Sequence, residues 1–274
     1  GRLLSTRNAP TIASVGPVEQ PDVSNALTLG AELGRGGMAT VVSATQHGLE
    51  REVAVKRALR ERAGDDALLV QEARLQGALE HPAIVPVHFI GADEAGRPMV
   101  VFKRVEGEAW AGLLRQPEAV EARFGQPALE WHLRVLLTVC DALAFAHARD
   151  VIHRDVKPAN VMVGAFGEVY LTDWGLGGVL TPQAPGGLPC VHDTVGGGTP
   201  AYMAPEQLEE APVSKATDVW LVGACLYEVL YGRAPFLGVA RDARLTGRHK
   251  CGFPAGPRAD LVEVAQRALA VDAA

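Results

Sequence analysis

The sequence predicts an α+β fold in two lobes, a small β-rich lobe carrying one helix and a larger lobe that is mainly helical. Three observations carry this. Short runs with β-type alternation fill Leu27 to Val105 and are interrupted once by a helical period. After Glu106-Gly107 the apolar period lengthens to that of helices. The 274 residues suffice for two lobes with separate cores.

Residues 1–24 carry Pro10, Pro17 and Pro21 among Ser, Thr and Asn, without apolar periodicity, and read as a flexible linker. The first lobe then spans 25–104. Strands are expected at Leu27–Leu33, Thr40–Thr45 and Glu52–Ala58. A helix follows at about Asp66–Leu79, with Leu68, Leu69, Ala73, Leu75 and Leu79 on roughly one side. Two further strands, about Val85–Ala92 and Pro98–Val105, flank the turn-forming Glu94-Ala95-Gly96-Arg97. The second lobe spans 105–274. Its helices are expected at Leu129–Arg149, at Ala216–Tyr231 with Gly232 as the stop, and at Ala259–Leu269. Between them Gly177–Tyr202 is rich in Gly, Pro and Thr and has no period, which marks a functional segment. No internal repeat occurs.

Hydrophobic residues make up 48% and aromatic residues only 5%, so the core must be built largely from Ala, Val and Leu. A formal net charge of −6 argues against nucleic acid as a partner. Cys140, Cys190, Cys225 and Cys251 are widely spaced and form no CxxC. Neither a disulfide framework nor a zinc site is expected, and a reducing, cytoplasmic setting is. No run of about 18 apolar residues occurs, so no membrane contact is expected of this segment. The chain opens on Gly1 without a signal peptide and reads as a piece of a longer protein.

The chemistry concentrates in two stretches. Residues 153–160 read His153-Arg154-Asp155-Val156-Lys157-Pro158-Ala159-Asn160, and Asp173-Trp174-Gly175 follows thirteen residues after Asn160. Together they offer two carboxylates, an ammonium and an amide. That is the set needed to hold a nucleoside triphosphate with two metal ions and to aim a hydroxyl at it. A glycine cluster, Leu33-Gly34-Arg35-Gly36-Gly37-Met38-Ala39-Thr40-Val41, lies between two expected strands. A Rossmann turn or Walker loop would precede a helix, and no GxxxxGK[ST] occurs. A Gly-rich hairpin can lie over phosphates because no side chains intervene, although an ordinary hairpin turn explains the cluster equally well. In Val53-Ala54-Val55-Lys56 the alternation puts Ala54 and Lys56 on one face. A Lys ending an apolar strand is ordinarily a solvated edge charge.

Taken in order, these elements resemble the catalytic domain of bacterial eukaryotic-like (Hanks-type) serine/threonine protein kinases, over about Leu27 to Asp272. The resemblance implies a protein-kinase-like bilobal fold, with ATP and Mg²⁺ as cofactors and Mn²⁺ as a substitute. Leu33, Gly34, Gly36 and Gly37 would cover the nucleotide. Lys56, fifteen residues after Val41, would bind the α/β-phosphates and be held by Glu72, with Glu80 as competitor. Phe102 would stand at the gatekeeper position and Val105 would read adenine through its main chain. Val41 and Met162 would sandwich the ring beside Ala54. Asp155 would accept or orient the acceptor hydroxyl proton, and Lys157 would neutralise the moving phosphoryl group. Asn160 and Asp173 would bind the two metal ions. Thr199, in Gly198-Thr199-Pro200-Ala201-Tyr202-Met203, would hydrogen-bond Asp155 and Lys157. Asp218 would support the catalytic loop backbone, and Arg154 implies control through an anion on the activation segment.

The implied activity is transfer of the γ-phosphoryl group of ATP to protein Ser/Thr hydroxyls, in signalling. Self-association would permit autophosphorylation at Thr194, with Thr181 second. A pseudokinase-like nucleotide-binding or scaffold module is the alternative, and a small-molecule phosphotransferase a third. Four departures stand out. Ala39 replaces a glycine, Lys103 stands where an acid is usual, and Trp174 replaces Phe, bringing an N–H that needs a partner. Glu206, in Ala204-Pro205-Glu206, also lacks its Arg, because Arg267 falls one turn early and the last helix is expected to be missing. Any membrane anchor would lie outside this segment.

Overall fold

The structure, a computed structural model, describes residues 26–59, 64–181, 188–191, 197–240, 244, 251–254 and 258–270. The linker expected at 1–24 and the candidate phosphosite Thr194 lie outside the described residues.

The first lobe is an antiparallel sheet of five strands in the order β1-β2-β3-β5-β4. The strands are β1 Leu27–Arg35, β2 Ala39–Gln46, β3 Arg51–Ala58, β4 Val87–Ala92 and β5 Pro98–Lys103. Alternation divides their side chains between two faces. Val53 and Val55 of β3 pack with Leu27, Val42, Ala44, Met99 and Val101 on one face. Ala54, Val100 and Phe102 face the other way, against Leu69 and Ala73 of helix α1, Asp65–Gly77. That second face also carries Lys56, so the strand pattern aims the lysine towards α1 and not at solvent. The turn from β4 to β5 closes as expected, with Gly96 at φ +73 and its N–H donating to Asp93 O.

The helical lobe is built around α4, Ala128–His147, and α6, Lys215–Tyr231. Helix α6 starts at a capping box. Ser214 Oγ accepts from the N–H of Ala216, and Thr217 Oγ1 accepts from that of Ser214. It stops at Gly232, φ +71. The last described helix, α7 (Ala259–Ala268), packs on α6. Short helices α2 (Trp110–Leu113), α3 (Pro117–Phe124) and α5 (Pro205–Glu209) fill the turns.

Two small sheets interrupt the expected helical lobe. Strands β6 (Gly107–Ala109), β8 (Val161–Gly164) and β9 (Val169–Leu171) form one, and β7 (Val151–Ile152) pairs with β10 (Gly178–Val179). At two to four residues each, none contains enough sequence to show a period. They matter because β7, β8 and β9 border the two chemical stretches. Gly107 faces Gly164 in the β6–β8 ladder, and a Cβ there would sit 1.9 Å from Val163 O. Gly107→Ala is therefore expected to destabilise the fold by roughly 3 kcal/mol through overpacking. The denaturant midpoint should fall accordingly, and an unchanged midpoint would mean that β6 yields freely.

Candidate active site

Strand β7 delivers the chain into the loop 153–160, whose backbone is held by Asp218 from α6. The fully buried Asp218 carboxylate accepts the N–H of His153 at 2.9 Å and of Arg154 at 2.8 Å, and lies 2.8 Å from His147 Nε2. Arg154 adopts φ +69 there, a conformation that these bonds enforce. His153 joins the two chemical stretches. Its Nδ1 accepts the N–H of Asp155, so Nε2 carries the ring proton and donates to Thr172 O at 2.9 Å.

Asp155 stands at the centre of a closed set of hydrogen bonds. Its Oδ2 accepts from Lys157 Nζ at 2.5 Å and from Asn160 Nδ2 at 3.0 Å. Its Oδ1 accepts from the hydroxyl and the N–H of Thr199, at 3.1 and 3.2 Å. Lys157 Nζ also donates to Thr199 Oγ1 at 2.6 Å. Asn160 spends its amide N–H groups on Asp155, on Oδ2 and on the main-chain O at 2.9 Å, and no described residue donates to its Oδ1.

Across the cleft, Lys56 Nζ meets both oxygens of Glu72, at 2.6 and 2.7 Å, and lies 3.5 Å from Asp173 Oδ1. Burial alone would lower the lysine pKa, but the carboxylates of Glu72 and Asp173 outweigh it and hold it above its ordinary value. Glu80 is exposed beyond the end of α1, so Glu72 is the partner.

A cavity of about 520 Å³ opens between the lobes. Leu33, Gly34, Gly36 and Gly37 of the β1–β2 hairpin form its roof, with Val41 and Ala54 beneath. Phe102 and Val105 line its back and Met162 its floor, and Lys56, Glu72, Asn160 and Asp173 close the polar end. Asp155, Lys157 and Thr199 stand outside this lining and join it through Asn160. The sequence did not point to Leu68, Leu69 and Gln76 of α1 as lining residues. The apolar pair was legible only as helix core. Gln76, which donates to Val85 O at 2.6 Å, carried no signal.

Residues 27–252 match the family described as protein kinase domain. The chain belongs to that family. The serine/threonine-protein kinase PknD of Chlamydia caviae is 32% identical over 88% of this chain and 28% of its own length. PknB of Mycobacterium leprae is 34% identical over 80% of this chain and 34% of its own length. PknB of Mycobacterium tuberculosis is 35% identical over 79% and 34%. This kinase domain thus spans about a third of the length of these relatives or less.

The kinase domain departs from its family at residues with visible consequences. Trp174 is fully buried, its ring 4.6 Å from that of His153, and its indole N–H finds no acceptor among the described residues. Lys103, leaving β5, donates to the hydroxyl of Tyr170 on β9 and lies 4.6 Å from the centroid of its ring, so one side chain ties the two lobes. Glu206 is not left bare, because Thr217 donates its hydroxyl to Oε1 at 2.6 Å. No ion pair to Glu206 occurs among the described residues.

The residues fit divalent cations as the family uses them. Asn160 Oδ1 has no donor among the described residues, and the carboxylate of Asp173, at φ +61, is half exposed. Both are the hard oxygen donors such ions take. No group of three or more His, Cys, Asp or Glu residues placed to hold a metal ion occurs among the described residues. No helix among the described residues is long and apolar enough to cross a membrane.

Proposed function

We propose that this kinase domain transfers the γ-phosphoryl group of ATP to Ser and Thr hydroxyls of proteins, with Asp155, Lys157 and Thr199 acting on the acceptor and Lys56, Glu72, Asn160 and Asp173 on the donor. The observation that carries this is the closed Asp155–Lys157–Thr199 set beside a cavity whose polar end holds Lys56, Glu72 and Asp173. In this reading the adenine ring lies between Val41 and Met162, beside Ala54 and under Leu33. Val105 lines that end and spends neither its N–H nor its C=O on another described residue, which leaves both for the base. Phe102 limits the depth of the site, and Gly34, Gly36 and Gly37 let main-chain N–H groups approach the phosphates. Mg²⁺, or Mn²⁺ in its place, held by Asn160 and Asp173, supplies neutralising charge on the phosphates. The acceptor hydroxyl donates to Asp155. As its oxygen bonds to phosphorus, the proton passes to that carboxylate and ADP departs with the other electron pair.

In the same reading the donor-binding sheet ends at residue 104 and the helical lobe begins at 105. The domain works in the cytoplasm on protein partners, and copies of it meet to phosphorylate Thr194.

Incubation with labelled ATP and Mg²⁺, followed by mapping of the label, tests the proposal. The wild-type domain is expected to label Ser or Thr. Lys56→Met is expected to abolish that label, because the phosphates lose the ammonium that Glu72 holds at the polar end of the cavity. A folded wild-type domain that binds ATP and transfers nothing would overturn the proposal in favour of a nucleotide-binding scaffold.

A further inference from the structure

The segment from Pro200 to Met203 is held to the helical lobe by its main chain. The carbonyls of four successive residues each meet a donor. Pro200 O accepts from Arg244 Nη1 at 2.7 Å, and Ala201 O from the N–H of Phe236 at 3.2 Å. Tyr202 O accepts from Trp220 Nε1 at 3.1 Å, and Met203 O from Arg244 Nη2. One guanidinium thus takes the first and last carbonyls and brackets the two between them. Its plane is fixed in turn. It lies 3.7 Å over the ring of Phe236, which stacks on Trp220 at 9°. Burial brings the guanidinium pKa down to about 10, which still leaves it charged at neutral pH. At its other end the segment is joined to the chemistry, because Thr199 bonds Asp155 through both N–H and hydroxyl.

A segment that must present an acceptor chain needs an anchor in the helical lobe. The ion pair expected of Glu206 is not among the described residues, and Thr217 occupies that carboxylate. Arg244 supplies a charged anchor by another route, through main-chain oxygens. A planar fork does this in fixed geometry, with one nitrogen for each carbonyl. A lysine ammonium offers a single centre with rotatable donors and does not fix that geometry.

We propose that Arg244 is a positioning residue for the phosphoryl acceptor. Its two-pronged bond to Pro200 and Met203 holds Thr199 on Asp155 and keeps the docking segment preformed. This rests on the kinase activity proposed above.

The test measures initial rates with dephosphorylated casein as acceptor, for the wild type, Arg244→Ala and Arg244→Lys, at varied casein and varied ATP. Denaturation midpoints are taken in parallel. Both variants are expected to lose kcat/KM for casein by about tenfold to a hundredfold, the scale set by misplacing a bound reactant. KM for ATP should stay within about twofold, since the donor cavity does not touch Arg244. Retention of the casein parameters in Arg244→Lys would overturn the proposal, because charge alone would then suffice. A parallel fall of casein and ATP parameters tracking the midpoint would also overturn it, leaving a purely structural role. If Arg244→Ala does not fold, Arg244→Lys carries the comparison. A wild-type domain that labels neither casein nor itself overturns the kinase reading, and this inference with it; where it labels only itself, autophosphorylation rates carry the comparison. An active wild type with unaffected variants overturns this inference alone.

Discussion

Asp155→Asn is expected to slow phosphoryl transfer by about three orders of magnitude, within the range usual for loss of a positioned general base. The substitution is nearly isosteric, so packing is not the cause. The carboxylate accepts four hydrogen bonds, two on each oxygen. An amide offers one acceptor oxygen and turns an NH₂ towards two of those donors. The acceptor hydroxyl loses its proton acceptor, and Lys157 loses the anion that fixes it. Asp155 lies outside the lining of the nucleotide cavity, so ATP affinity should change by less than about threefold, the mark of a loss confined to the transition state. Single-turnover labelling with a parallel nucleotide titration separates the two quantities. A rate within tenfold of the wild type would remove Asp155 from the role given to it.

The largest loss of stability is expected from Asp218→Ala. Asp218 is fully buried and takes the N–H groups of His153 and Arg154 together with His147 Nε2. Truncation strands those donors where water does not reach. Breaking a buried charged network in this way costs about 3–5 kcal/mol. Activity should fall with it, since the two N–H groups belong to the two residues that precede Asp155. Asp218→Asn keeps one acceptor oxygen and should lose about half as much. Chemical denaturation of both variants is the measurement. An alanine variant within about 1 kcal/mol of the wild type would show that the loop backbone finds other partners.

Much of the site was legible because it is written in side chains at short spacing. The alternation through Val53 and Val55 put Lys56 on the opposite face with Ala54, and the resemblance to protein kinases favoured Glu72 over Glu80 as its partner. In the structure Lys56 meets Glu72. The β6–β8–β9 sheet was not legible, since strands of three and four residues show no period and exist only through one another. Arg244 was not legible for a different reason. Its partners are main-chain oxygens more than forty residues away, and a carbonyl has no signature in the sequence. Thr217 likewise serves Glu206 from the next helix, where it reads only as part of a cap. Sequence pattern reports which side chains share a face, but it does not report which main-chain groups the fold leaves to be satisfied.

The burial of Trp174 in the core has an optical consequence. The other tryptophans, Trp110, Trp131 and Trp220, sit in helices, whereas Trp174 follows directly on Asp173. An indole buried in a protein core emits at shorter wavelength than one in water. Rotation of the Asp173-Trp174-Gly175 turn out of its present position would carry that ring into solvent. The domain therefore holds an intrinsic fluorophore one residue from the carboxylate of Asp173, and its emission colour would follow the turn without any added label.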